Sequence, residues 1–212
     1  VTICDNSYCT PVYQQPVVYG IDLTLQSATK YISGHSDTVA GVLSGSKAMI
    51  EKIFHSEYMN IGSGIQPFNA WLLLRGLRTL PMRLKHISVS TRQIIGFLQQ
   101  HARIEEVLFP LDESFPQYEL ANLQMKGACG LLTFTLRANS LEEIERFCDA
   151  LQHILMAVSW GGYESLIIPR CAGINREHFD PANKEHRMIR LYVGHEEPAY
   201  LISDLQQALA SI

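Results

Sequence analysis

The chain has 212 residues, 47% of them hydrophobic and 18% charged, which is enough apolar material for a packed core and too much for a disordered chain. Seventeen Lys and Arg against 21 Asp and Glu give a net charge of −4, which excludes the clustered basic surface that nucleic acid requires. No apolar run reaches the length of a membrane span, about 18 residues; Trp71-Leu72-Leu73-Leu74 stops at Arg75.

The five cysteines (Cys4, Cys9, Cys129, Cys148, Cys171) are odd in number and irregularly spaced, which argues against a disulfide framework and for a reducing, cytoplasmic setting. Cys4 and Cys9 have no second Cys/His pair at matching spacing, so no metal site is expected. The chain opens at Val1, inside an apolar β-branched run with no lead-in residues. It therefore reads as a piece of a longer polypeptide.

In chain order, Val1–Cys4, Ile21–Leu25 and Val39–Leu43 read as strands, and their continuous apolar character predicts cover on both faces. Ser46 is placed to cap a helix running to about Met59. Pro67 opens a helical stretch through Leu77, Pro81 interrupts it, and a second long helix runs to about His101. Glu105–Phe109 and Leu131–Leu136 are strands. Ser140 with Glu143 forms a capping box opening a helix to about Met156. Ser165–Ile168 and Met188–Val193 are strands, with the charged run 176–187 between them as a solvated loop. An amphipathic helix, Pro198–Ala210, closes the chain. The alternation predicts an α/β protein with a change of style near the long helix.

The densest polar cluster in an apolar setting is Ser27-Ala28-Thr29-Lys30-Tyr31-Ile32-Ser33-Gly34-His35-Ser36-Asp37, directly after the second strand. Residues at the carboxyl end of a strand in an open α/β sheet line the usual ligand crevice. A lysine partly desolvated there loses basicity and becomes a nucleophile toward aldehydes. Flanking hydroxyls at Ser27 and Thr29 suit a phosphate, so the cluster points to an aldehyde cofactor carrying one, pyridoxal 5′-phosphate (PLP). Asp5 ends the first apolar run. If the two strands are neighbours, it opens on the same sheet edge as Lys30 and can keep a pyridine nitrogen protonated. The plainer readings are an exposed lysine in a surface loop and an ordinary Asp-Asn turn.

Asp5-Asn6-Ser7-Tyr8-Cys9-Thr10-Pro11, the lysine block, Leu73 to Leu80, Ser159-Trp160-Gly161-Gly162-Tyr163-Glu164-Ser165-Leu166 and Ile189 to Glu197 occur in one order along the whole chain. Together they resemble the PLP-dependent Cys/Met-metabolism (transsulfuration) enzymes, most of all the bacterial cystathionine β-lyases. The resemblance implies an aspartate-aminotransferase-like (fold type I) α/β enzyme, of which this chain is the C-terminal part. Residues 1–82 would be the end of the large PLP domain, and residues 83–212 a small C-terminal domain with its junction helix. It implies that Lys30 binds the cofactor aldehyde and moves the substrate α-proton, and that Asp5 pairs with the ring nitrogen. Ser27 and Thr29 would hold the phosphate, Arg190 the substrate carboxylate, and Ser159 and Trp160 would border the substrate. It also implies a homotetramer built from dimers. The rest of the phosphate cradle and a ring-stacking tyrosine would come from an amino-terminal part that has no counterpart here.

The expected reaction is β-elimination from cystathionine or a related sulfur amino acid, giving a thiol, pyruvate and ammonia. Trp160 stands where many γ-acting relatives have Leu, and Val158 where cystathionine γ-lyases generally have Glu. Val158 also departs from the Tyr that bacterial β-lyases can carry there, which leaves γ-elimination or γ-replacement as the alternative. A third reading is a catalytically silent fragment that contributes only packing or oligomer contacts.

Overall fold

The computed structural model describes residues 1–212. The first part contains β1 (Ile3–Asp5), a short α1 (Thr10–Tyr13), a 3₁₀ turn at Pro16–Tyr19, β2 (Leu23–Ser27) and β3 (Gly41–Gly45). Next come α2 (Lys47–Ile53), a π turn at Phe54–Tyr58, α3 (Met59–Ile61) and α4 (Pro67–Gln100). The second part holds β4 (Ile104–Leu108), α5 (Tyr118–Gln124), β5 (Leu131–Leu136), α6 (Leu141–Ala150), β6 (Leu155–Met156), β7 (Leu166–Pro169), β8 (Met188–Tyr192) and α7 (Pro198–Leu209).

Three strands form one sheet in the order β1-β2-β3, with β1 parallel and β3 antiparallel to β2. The register puts Asp5 opposite Leu25, so the Asp5 strand and the strand leading to Lys30 end side by side. The second sheet has the order β4-β5-β8-β7-β6 and is antiparallel except for the β6–β7 pair. Its main core joins Phe134, Leu136, Ile189 and Leu191 to Ile94 and Leu98 of α4, Ile144 and Phe147 of α6, and Leu201 and Leu205 of α7. A smaller cluster of Tyr31, Leu80, Leu84, Ile87, Cys129, Leu166 and Tyr192 joins the lysine turn to that second sheet.

The two helices expected on either side of Pro81 are one helix of 34 residues. Proline removes one backbone donor and crowds the carbonyl four residues before it, but Pro81 and Leu77 both lie on the exposed face, where water can serve the freed carbonyl. Buried residues from Leu73 to Leu98 then hold α4 against both sheets. The Ser46 helix is also not continuous. Ser46 caps α2 through Met49 N–H (3.4 Å), but a π turn follows at Phe54 and no residue of the segment is buried.

The Ser140 helix stops at Ala150 rather than Met156, because Asp204 of α7 takes the next free donors. Its carboxylate accepts from the backbone N–H groups of Gln152 (2.9 Å), His153 (2.9 Å) and Ile154 (3.0 Å) and from the Gln207 amide (3.0 Å). The chain is thereby turned into β6. Burial alone would raise the Asp204 pKa, but these donors outweigh it and hold the carboxyl below the usual carboxylate range. The folded state therefore gains stability from ionised Asp204 above the ordinary carboxylate pKa and loses it as pH falls through the lowered value. Asp204→Asn is expected to cost about 2 kcal/mol at pH 7. In urea melts of both proteins the gap should narrow toward pH 3, whereas a gap independent of pH would contradict this role.

The expected two-sided cover of the first sheet is corrected. Every residue of β3 is exposed, as are Ile3 and Leu25, and only the Ala28–Ile32–Leu73 cluster packs beside them. Apolar runs written for a doubly covered sheet are thus half-bare within residues 1–212. The 176–187 run is largely exposed as expected. It also carries two ion pairs to β4, Lys184 to Glu106 and Arg187 to Glu105. No helix is long and apolar enough to cross a membrane.

Candidate active site

Lys30 lies in a tight turn that leaves β2. Lys30 N–H donates to Ser27 O (3.1 Å), Ser33 N–H to Ala28 O (2.9 Å) and Gly34 N–H to Lys30 O (2.8 Å). The turn is packed hard on two sides. On one side is Gly76 of α4, where a Cβ would fall 2.3 Å from Ser33 O and 2.5 Å from Ile32 O. On the other is Gly161 (φ +86°), where a Cβ would fall 2.8 Å from Lys30 Cβ and 2.9 Å from its Cα. Glycine is needed there both for the left-handed backbone and for the close approach.

Of the expected site residues, Ser159, Trp160 and Arg190 lie around Lys30. Lys30 Nζ donates to Ser159 Oγ at 3.1 Å and stands 5.3 Å from the centre of the Trp160 ring. Trp160 packs edge-on against Tyr31, with ring centres 5.6 Å apart. Burial, and after it the nearby Arg190 guanidinium, lower the Lys30 pKa. Arg190 sits on β8 between Thr133 and Ile168 and donates to Val158 O, next to Ser159. A cleft of about 580 Å³ opens beside this group, lined by Thr29, Asn69, Ser159, Trp160 and Glu164 among others. A second concavity of about 650 Å³, mostly apolar, lies against the bare sheet and the first half of α4, and contains none of the expected site residues.

The remaining expected residues lie at the strand ends. Asp5 is exposed; its Oδ1 accepts from Ser7 N–H (2.9 Å) in an Asx turn. The ordinary turn chemistry and an available carboxylate thus coexist at one residue. Ser27 N–H is held by Ser7 Oγ (2.6 Å). Thr29 Oγ1 donates to Ala40 O (3.3 Å) and accepts from Ala40 N–H (3.0 Å), so this hydroxyl is engaged within its own loop.

Three further residues contribute to the site, to which the sequence alone assigns no role. Arg83 donates to the carbonyls of the lysine turn; the Tyr31 hydroxyl oxygen accepts from Gly130 N–H (3.0 Å); Glu164 accepts from Ser36 Oγ (2.8 Å), both residues lining the cleft. Arg83 falls on the buried stripe Leu80–Leu84–Ile87 of α4, and that periodicity was the available signal. The cysteines are poor candidates for a nucleophile. Burial pushes Cys9 and Cys148 up to about 12 and Cys129 higher still, so they remain protonated thiols.

With this geometry in hand, comparison with known proteins gives a consistent result. Residues 1–210 match the family model described as Cys/Met metabolism PLP-dependent enzyme. The chain belongs to this family. Among its relatives is an L-alanine/L-glutamate racemase of Wolbachia pipientis wMel, 38% identical over 100% of this chain and 53% of that protein. A cystathionine beta-lyase of Lactococcus lactis subsp. cremoris is 36% identical over 99% of this chain and 56% of its own length. The crystal structure of cystathionine gamma-lyase from Lactobacillus plantarum complexed with L-serine superposes on the whole chain and on 56% of its own, with TM-score 0.89 and 30% identity. The chain therefore spans about half the length of these Cys/Met metabolism enzymes, and its α/β architecture is that of part of a PLP-dependent enzyme.

The donor set suits the family's cofactor. A lysine of lowered basicity stands beside an open cleft, one carboxylate lies at the adjacent strand end, and the Ser27 hydroxyl ends β2.

Proposed function

We propose that the whole protein is a PLP-dependent carbon–sulfur lyase that cleaves cystathionine or a related sulfur amino acid by β-elimination. Cystathionine and water would give homocysteine, pyruvate and ammonia. The observation that carries this reading is the Lys30 amine, of lowered basicity, 3.1 Å from Ser159 Oγ and beside Trp160 and Arg190.

The bound cofactor would supply an electron sink for a carbanion at the substrate Cα. Lys30 Nζ, whose charge burial and then Arg190 disfavour, is the group placed to take the Cα proton. Ser159 Oγ orients that amine. Arg190 turns its planar fork from Val158 O to the substrate carboxylate, a task for which a two-pronged donor is suited. Asp5 would hold a proton on the ring nitrogen, and the Ser27 hydroxyl would donate to a phosphate oxygen. Thr29 can add a bond to phosphate only by giving up Ala40. Trp160 covers one side of the amine.

The bare apolar surface of Ile3, Leu25, Val42, Leu43, Phe68 and Trp71, with the concavity beside it, is where we place the rest of the protein. Completion of the phosphate cradle would come from that part, and a cytoplasmic homotetramer is the assembly we infer.

Product analysis of the whole protein with cystathionine tests the reaction. Pyruvate and homocysteine in equal amounts are expected. 2-Oxobutyrate with cysteine would replace β- by γ-elimination, and epimerisation at Cα without cleavage would make the protein a racemase.

A further inference from the structure

Arg83 is 6% exposed, and all of its partners are neutral oxygens. One terminal nitrogen, Nη2, donates to Tyr31 O (2.8 Å), Gly76 O (2.9 Å) and Ile32 O (3.4 Å). Nε donates to Thr79 Oγ1 (3.0 Å), which itself donates to Gly76 O (3.1 Å). The other terminal nitrogen, Nη1, is buried without a partner and faces Gly34, where a Cβ would fall 1.9 Å from it. A buried cation lacking a carboxylate is costly to a fold, so its retention calls for a reason beyond stability. Its place supplies one. Tyr31 and Ile32 directly follow Lys30, and their carbonyls lie toward the end of the turn whose backbone bonds run from Lys30 N–H to Lys30 O. Arg83 collects those carbonyls and fastens them to the same turn of α4 whose Gly76 lies against them.

We propose that Arg83 is a positioning residue for Lys30: its guanidinium fixes the Tyr31–Ile32 backbone to α4 and so holds the Lys30 amine against Ser159 and Trp160. The functional half of this statement rests on Lys30 being the cofactor lysine. The geometric half is a property of this chain alone. Thr79 orients the fork, and Arg190, the charged neighbour of Lys30, is untouched by changes at position 83.

The test is the acylation rate of Lys30 in the whole protein without added cofactor. Isotope-coded acetic anhydride at pH 7, read by peptide mass, compares Lys30 with the other lysines, while circular dichroism checks folding. Wild-type Lys30 should react faster than exposed lysines such as Lys47. In Arg83→Met the Lys30 rate should fall about tenfold, toward that of the exposed lysines, as the amine leaves its partly desolvated seat. Arg83→Lys should recover part of the loss, and Thr79→Val should lower the rate in the same direction by a smaller factor. A folded Arg83→Met whose Lys30 rate stays within twofold of wild type overturns the proposal. If Arg83→Met does not fold, a folded Thr79→Val whose Lys30 rate equals that of wild type overturns it. The cofactor reading is tested apart from this, by borohydride reduction of wild type with PLP. A label on another lysine would end Lys30's cofactor role, while the acylation rates still decide whether Arg83 positions it.

Discussion

Replacing Lys30 with alanine is expected to remove covalent cofactor capture and to lower turnover of the whole protein about 10³-fold or more, the range typical of a lost proton-transfer group. The expectation follows from what the amine does in this setting. It must be neutral to accept a proton at Cα, and burial together with Arg190 pushes it that way. No neighbour can stand in for it. Ser159 is an unactivated hydroxyl, Trp160 has no basic nitrogen, and the Arg190 guanidinium offers donors only. Folding should be little affected, because alanine keeps the Cβ that packs on Gly161 and the removed stem is only partly buried. Steady-state kinetics with urea melts on the same preparation will separate the two effects. A variant that keeps more than a tenth of wild-type turnover would remove Lys30 from the chemistry.

Gly76→Ala is expected to have the largest effect on stability, and two forces oppose each other there. Alanine favours a helix interior over glycine by about 1 kcal/mol. Against this, the new Cβ would stand 2.3 and 2.5 Å from two backbone carbonyl oxygens, Ser33 and Ile32, which cannot rotate away as a flexible side chain would. Overpacking of a fixed site costs about 1–3 kcal/mol, with worse cases where backbone must move. Because both obstacles are backbone, the cost lies above that range, at about 3–4 kcal/mol, and the collision wins with a net loss of about 2–3 kcal/mol. Gly96 is the internal control, on the same helix with nothing within 4 Å of its notional Cβ. Gly96→Ala should be neutral or more stable by up to about 1 kcal/mol. Equal behaviour of the two variants in denaturant would show that α4 does not press on the lysine turn as described.

Most of the fold could be read from local patterns. Leu131–Leu136 is a strand with the expected bounds, and the Ile21 and Val39 strands are displaced by about two residues because Gln26-Ser27 and Ser44-Gly45 continue the ladder despite their polarity. Where the reading erred, long-range contacts overrode local sequence. Pro81 does not end α4, because buried residues on both sides hold the helix on two sheets. The helix after Ser140 ends early because an aspartate far along the chain captures the next donors. Two-sided strand composition cannot reveal whether the covering layer lies within the same 212 residues.

The site was legible through one dense block, Ser27 to Asp37, and through ordered matches at Asp5, Ser159 and Arg190. Strand adjacency and the Lys30–Ser159 contact follow from the fold. Two features lay beyond composition and spacing. Thr29 offers a hydroxyl in sequence that the structure ties to Ala40. Arg83 is one of several basic residues on α4, and only its place on the buried stripe separates it from exposed Arg75, Arg78 and Lys85.

The most direct measurement is peptide mapping of the whole protein after equilibration with PLP and reduction by borohydride. A single pyridoxyl adduct on the Lys30 peptide is expected, absent from Lys30→Ala. An adduct centred on another lysine, or none at saturating cofactor, would contradict the assignment of this turn as the catalytic centre.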